Sequence, residues 1–293
     1  MALRDIVLAL ILAGLWGSTF TAMKIGVAEV SPLLINALRF GLSAFPALMF
    51  VRRPAVPLWT IIAFGLVLGV CKFTALFTAL KWGMPAGLAS IILQMQVFFT
   101  IGLAFVVLGE RVGVFQLCGG AIALIGLALF AFDKAENASL LPFFVCLLAA
   151  ALWGVANMVV KTARTKDIFG FVVWSSAVAG PVLFVLSLLV DGPGTVWSVL
   201  ANPSWSTILV TLYLSLGATL FGYSVWNSLL SRYPVSLVGP FALLIPVSGM
   251  ICGALFLGET LSGRAILASV IVFAGLVVNV FGDTIARRIR PTA

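Results

Sequence analysis

The chain contains no histidine, which removes the commonest proton shuttle and transition-metal ligand at neutral pH. Charge is scarce as well: 9% of its 293 residues are Asp, Glu, Lys or Arg, against about 25% in a soluble domain. That deficit excludes an ordinary soluble fold. The four cysteines, Cys71, Cys118, Cys146 and Cys252, are scattered through apolar runs with no C-x-x-C pair, so they read as small buried hydrophobes and not as disulfides or metal ligands. Acids are fewer than bases, and none of the nine Asp and Glu falls in the middle of an apolar run. A membrane proton relay generally rests on such a group, so carboxylate-driven proton exchange is disfavoured. No catalytic or metal-ligand cluster is visible either, so neither an enzyme nor a cofactor is expected.

Hydrophobic residues make up 62% of the chain, and its mean hydropathy is +1.23. Charge-free windows such as Trp82 to Gly109, Val112 to Phe132 and Ile168 to Val190 are near or above the roughly 20 residues a spanning helix needs. They do not alternate apolar with polar, as strands of an outer-membrane barrel would. The expectation is an all-α integral membrane protein with ten transmembrane helices, at about 6–26, 33–51, 58–80, 86–108, 113–132, 141–161, 169–190, 207–231, 235–257 and 264–285. The first of these could pass for a secretory signal peptide, but no clean cleavage site follows, and it is read as helix 1.

With the N-terminus inside, the inner ends carry Arg4, Arg52, Arg53, Arg111, Lys161, Arg164, Lys166, Arg232, Arg287, Arg288 and Arg290, while the outer side has only Lys24, Lys81, Lys134 and Arg264. Basic residues in short loops stay cytoplasmic, so both termini are expected there. The net charge of +8 is therefore mostly a topology signal, and nucleic acid is not an expected partner.

The stretch LWGSTFTAMK at 15–24 returns as LWGVANMVVK at 152–161: Trp16 and Trp153, Gly17 and Gly154, Lys24 and Lys161 are all 137 residues apart. Later in each half Pro85 and Pro234, Glu110 and Glu259, and Gly126 and Gly275 are 149 apart, which places an insertion near 191–206. The chain thus divides into two five-helix repeats, residues 1–136 and 137–293. Because five is odd, the second copy enters the membrane in the opposite sense. Inverted repeats are a construction of secondary transporters, with a substrate site near the midplane between them.

The LWGSTFTAMK start, LLINALRFGLSAFP on helix 2, the GMPAGLASIILQMQVFFT and LGER blocks on helix 4 and the YPVSLVGPFALLIPV and LGET blocks on helix 9 resemble the EamA-type branch of the drug/metabolite transporter superfamily, from about residue 6 to 282. The resemblance implies ten helices, a central cavity walled in part by helices 4 and 9, and efflux of amino acids and related metabolites across the bacterial inner membrane. Within that branch the likeness is greatest to exporters of cysteine and O-acetylserine, and more distant to other amino-acid exporters. The partners it implies are a small-molecule substrate and the lipid bilayer, with the protein a monomer or homodimer. Proton-coupled efflux of a drug or other metabolite is the alternative, and a channel is disfavoured by the repeat.

Several polar residues within the spans are candidates for contact with substrate. Lys72 lies inside helix 3, where a charge costs about 2.5–3.5 kcal/mol on insertion scales. It either meets a substrate carboxylate or is a structural lysine. Arg39 on helix 2 can hold a carboxylate bidentately, or pair with Glu29 or a backbone carbonyl. Its counterpart at the repeat offset is Ser176. Gln94 and Gln96 point about 200° apart, so one, taken as Gln94, lines the cavity while the other bonds a neighbouring helix. On helix 8 Tyr223, Trp226 and Asn227 share a face, as a site for a small zwitterion or as packing. Trp16 and Trp153 mark the repeat interface, with Asn157 one turn further on. Pro46, Pro181, Pro240 and Pro246 interrupt helices 2, 7 and 9 and are expected hinges. Lys24 and Lys161 read as helix-end anchors, and Glu110 and Glu259 as capping or gating residues.

Overall fold

A computed structural model describes residues 2–109, 113–135, 140–163, 165–232, 241–242 and 244–289. These form α1 (Leu3–Glu29), α2 (Pro32–Ala44), α3 (Leu58–Lys81), α4 (Ala86–Leu108), α5 (Val114–Ala135), α6 (Leu141–Ala163), α7 (Ile168–Val190), the short α8 (Pro193–Ala201), α9 (205–232), α10 (Leu244–Leu257) and α11 (Gly263–Ile289), with no strand among the described residues. Seven helices are long and apolar enough to cross a membrane: α1, α2 with the turn that follows it, α3, α4, α6, α7 and α9. Val114–Leu129, Leu244–Leu257 and Gly263–Asn279 are shorter apolar stretches. The protein is therefore a multi-pass, all-helical membrane protein.

Local sequence sets the helix ends. Ser31 accepts from the Leu34 N–H at 3.1 Å ahead of Pro32 at the first helical position, Asp167 from Gly170 at 2.8 Å, and Ser204 from Thr207 at 3.0 Å. At the other ends of α4 and α10, Gly109 and Gly258 take φ of +66° and +62°. These values favour glycine, and the two positions are again 149 apart. The segment at 191–206, where the repeat spacing places the insertion, contains α8, seated by the fully buried Val196.

Packing follows the repeat. Among the extensive contacts are α5 with α11, α2 with α7, α1 with α10 and the second half of α4 with α6. Exchanging the halves maps the first two pairs onto themselves and the last two onto each other. The repeated glycines make these crossings. A Cβ on Gly17 would lie 2.7 Å from the Ile245 carbonyl oxygen on α10, and one on Gly154 would lie 2.8 Å from Phe99 Cβ on α4. Gly126 likewise meets the Ala268 carbonyl, and Gly275 the Gly119 carbonyl. Within lipid, where tails are as apolar as side chains, such close backbone approach is the main source of helix association.

Two helices depart from regular geometry. Residues Gly65–Lys72 of α3 and Tyr213–Phe221 of α9 wind in wider i→i+5 turns, and at the 149 offset they coincide to within one residue. Such turns are under 1% of residues in proteins and frequent at functional sites. The proline expectations change in part. Pro181 is inside α7, but α2 ends at Ala44, so Pro46 follows the helix and does not interrupt it. A helix ends before a proline because its ring blocks continuation. Pro246 sits in the first turn of α10, and Pro240 lies outside the described residues.

Candidate functional site

The i→i+5 turns of α3 and α9 face each other across α2 and α7, and these four helices enclose a cavity of about 20 Å³. That is room for a water, far below the several hundred Å³ of an open ligand pocket. Its lining comes from both halves: Arg39 and Phe40 of α2, Gly65 and Phe73 of α3, Ser175 and Ser176 of α7, and Thr219 and Tyr223 of α9. Among the described residues none of this lining comes from α4 or α10, the helices expected to wall a central cavity.

Arg39 is the most consequential of these residues. It is 5% exposed, its Nη2 reaches Thr219 Oγ1 at a long 3.4 Å, and its Nε and Nη1 have no partner. Ser175 Oγ is also unpartnered. The guanidinium carbon stands 4.1 Å from the Phe73 ring centroid and 5.4 Å from that of Phe40. Glu29, the partner considered from sequence, instead bonds Ser204 and Thr207 at the start of α9.

Lys72, 3% exposed, shares the same ring. Its Nζ lies 3.4 Å from the Phe73 centroid and 4.6 Å from that of Trp153. One phenyl ring therefore carries two cations. Cation–π contact supplies roughly 0.5–2 kcal/mol each, whereas burying an ion costs several kcal/mol. The rings alone do not compensate the charge. Nor do the acids whose side chains are described: Asp5, Glu29, Asp167, Asp191 and Glu259 are all occupied at helix ends, by Arg232, Ser204, Gly170, Ser31 and Lys24.

The other candidates separate. Trp16 stands beside the cavity, its Nε1–H donating to the Ala218 carbonyl at 2.9 Å and its ring 5.7 Å from Tyr223 and 5.5 Å from Trp226. Trp226 does not line the cavity, and the Asn227 side chain is outside the described residues. Gln94 is 7% exposed on α4, away from the cavity. Asn157 donates to Gln96 Oε1 at 2.6 Å and Thr100 Oγ1 at 3.0 Å, fastening α6 to α4. Asn157 and Gln94 are thus not brought to Arg39. The sequence reading overlooked Phe73 and Thr219. Phe73 is directly beside Lys72, and Thr219 is the hydroxyl inside an apolar LGATLF run, so each had a faint local signal.

At one end of the bundle Lys24 Nζ meets Glu259 Oε1 at 2.7 Å. The same carboxylate accepts Ala86 N–H at 2.7 Å and Gly87 N–H at 3.1 Å, capping α4. Lys24, read as a simple anchor, is thus part of a clamp joining α1, α4 and the end of α10. Among the described residues no cluster of three Cys, Asp or Glu is placed to hold a metal.

Comparison with known proteins agrees with this architecture. The sequence profile of the EamA-like transporter family matches residues 3–132 and 140–281. A protein of Escherichia coli K12 named "Probable amino-acid metabolite efflux pump" is 40% identical over 96% of both chains. Its namesake in Salmonella typhimurium is 39% identical over 99% of both. A "Probable terminal-alkyne amino-acid exporter" of Streptantibioticus cattleyicolor is 27% identical, covering 94% of this chain and 93% of its own. One crystal structure, 20% identical, superimposes with a TM-score of 0.62 over 98% of this chain and 99% of the other, a likeness of fold alone. On these matches the chain belongs to the EamA-like transporter family, and the names of the family and of these relatives are those of transporters.

Proposed function

We infer that the protein exports amino acids and their metabolites across the bacterial inner membrane by alternating access, its repeats 1–136 and 137–293 rocking about the cavity at Arg39. Both termini are cytoplasmic in this reading. The printed names of the relatives support the cargo, and the exchange symmetry of the helix contacts supports the inverted repeats. Ten spans follow if α5, α10 and α11 also cross.

The observation that carries the reading is the buried Arg39 guanidinium with two unpartnered nitrogens, set between helices of both halves. A substrate carboxylate would accept from Nε and a terminal nitrogen together, a geometry that lysine does not reproduce. Thr219 and Tyr223 complete the polar wall, and Phe40, Phe64 and Phe73 offer an apolar side to the cargo's side chain. The cavity as it stands is too small for an amino acid, so this conformation is closed around the site. In the outward-open state α1, α4 and α10 separate and the Lys24–Glu259 clamp breaks.

The test is efflux of radiolabelled amino acids, with cysteine and O-acetylserine in the panel, from preloaded cells with and without the protein. Faster efflux of at least one is expected, together with higher tolerance of that compound outside. Equal efflux across the panel at verified expression defeats the reading. Proton-coupled drug efflux remains the less supported alternative, because Asp5, Glu29, Asp167, Asp191 and Glu259, the carboxylates whose side chains are described, are all at helix ends.

A further inference from the structure

We propose that Ser215 is a positioning residue for Arg39: its hydroxyl, in the wide turn of α9, holds the main chain of α2 at Arg39 and so sets how tightly a cargo carboxylate is bound. This rests on the export reading above, with Arg39 as the anchor, and adds to it a residue outside the cavity lining.

Arg39, in the first half of the chain, is held at both its main chain and its tip by one stretch of a helix from the second half. Its carbonyl oxygen accepts from Ser215 Oγ at 2.9 Å, and its Nη2 reaches Thr219 Oγ1 at 3.4 Å. Ser215 is 0% and Thr219 2% exposed, and both belong to the i→i+5 stretch Tyr213–Phe221. The Thr219 proton goes to the Leu214 carbonyl at 2.8 Å, five residues back, so a lone pair is left to face the guanidinium. At 3.4 Å that contact is beyond the usual hydrogen-bond range and orients Arg39 little, whereas the 2.9 Å bond to its main chain is of ordinary length.

With Nε and Nη1 unpartnered, the place of the guanidinium depends on where α2 holds its main chain. A bidentate contact tolerates displacements of only about 0.5 Å, so the Ser215 bond bears directly on carboxylate affinity. The bond is also built to open. Ser215 Oγ lies 2.7 Å from the Thr211 carbonyl of its own helix, and Ser43 Oγ lies 2.9 Å from the Arg39 carbonyl. The Ser215 proton is thus shared between two acceptors. When α2 and α9 part, Ser215 keeps Thr211 and the Arg39 carbonyl keeps Ser43, so no buried group is orphaned. Such a contact suits helices that separate and rejoin in every transport cycle.

The repeat shows that the helix crossing does not require these hydroxyls. At the 149 offset the counterparts of Ser215 and Thr219 are Leu66 and Val70 in the wide turn of α3, and at the 137 offset that of Arg39 is Ser176. α7 packs on the turn of α3 as α2 packs on the turn of α9. The same crossing is therefore made without either hydroxyl where there is no arginine, and Ser215 and Thr219 accompany Arg39 rather than the turn.

The test measures initial rates against concentration for radiolabelled alanine, cysteine and glutamine, with the purified full-length protein in liposomes. Wild type, Ser215→Ala, Arg39→Lys and the double variant are compared, the last two at higher density to keep their flux measurable. Ser215→Ala is expected to raise the half-saturation concentration about fivefold, the effect of losing roughly one hydrogen bond, with the maximal rate within about twofold of wild type. In the Arg39→Lys background the same substitution is expected to change half-saturation by less than about twofold, because no bidentate geometry is left to misplace. A merely structural role would lower the maximal rate through the active fraction and leave half-saturation where it was. If Ser215→Ala fails to fold, Ser215→Cys, near-isosteric with a weaker donor, takes its place; if Arg39→Lys is silent, the comparison with wild type decides alone. An unchanged half-saturation, or the same factor in both backgrounds, overturns the positioning role while leaving amino-acid export standing. No saturable flux of any of the three compounds in wild type overturns the export reading, and the role of Ser215 with it.

Discussion

Glu259 closes one end of the bundle through Lys24: the ammonium lies 2.7 Å from one carboxylate oxygen while both oxygens accept the first N–H groups of α4. A carboxylate at a helix N-terminus is stabilised by the helix dipole as well as by the cation. Three helices from the two halves are thus joined at a single side chain.

Glu259→Ala removes the acceptor of two backbone donors and the ion pair together. The expected loss is about 2–3 kcal/mol, in the range for hydrogen bonds to charged groups. Lys24→Ala removes only a partly exposed cation and is expected to cost under about 1 kcal/mol. Thermal unfolding of the two variants in the same detergent checks the ordering, and equal midpoints would contradict the capping role.

The clamp also has a functional consequence. In a cysteine-free background carrying Ser90→Cys, an impermeant maleimide is expected to react slowly, because Ser90 is 1% exposed beneath the clamp. Adding Glu259→Ala should speed labelling by about tenfold, the effect of roughly 1.4 kcal/mol on an opening equilibrium. An unchanged rate would show that the clamp does not control access.

The glycine crossings give a sharper structural prediction. Gly17→Val drives a side chain into the Ser248 and Ile245 region of α10, whereas Gly14→Ala points into open space within the same helix. Gly17→Val is expected to abolish a monodisperse size-exclusion peak, and Gly14→Ala to leave it intact. Gly154→Val should behave like Gly17→Val, because it meets Phe99 and Thr100 at the partner crossing.

The two repeated tryptophans are expected to behave differently. Trp16→Phe keeps a ring for Tyr223 and Trp226 but loses the bond to Ala218, at about 1 kcal/mol. Trp153→Leu loses a ring over Lys72, and its effect, roughly 0.5–2 kcal/mol, should vanish in a Lys72→Met background. A double-mutant cycle by thermal unfolding measures this coupling, and additivity would refute the contact.

Much of this fold was legible in the residues. Charges, prolines and glycines marked helices such as α4 and α7 closely, because a bilayer leaves few alternatives to a long apolar helix. Gly17 and Gly154 announced the repeat through their spacing, and the structure shows that both sit at helix crossings. The wide turns of α3 and α9 were not legible, since no residue type encodes an i→i+5 turn. They moved the site with them: the cavity formed among α2, α3, α7 and α9, so Arg39 and Tyr223 reached it while Gln94 did not. Pairwise spacing on one helix also could not show that Asn157 would be consumed by Gln96, or that Phe73 would underlie two cations, because those relations arise between helices or from side-chain direction.

The central claim, that Arg39 is the carboxylate anchor of an alternating-access exporter, is tested most directly by counterflow of a labelled amino acid in proteoliposomes containing wild-type protein or Arg39→Lys at equal density. Wild type is expected to show saturable, trans-stimulated exchange, and Arg39→Lys to fall by about one to two orders of magnitude, the loss of a bidentate charged contact of roughly 1.5–3 kcal/mol. Equal counterflow in the two, or none in the wild type across the panel, would contradict the account.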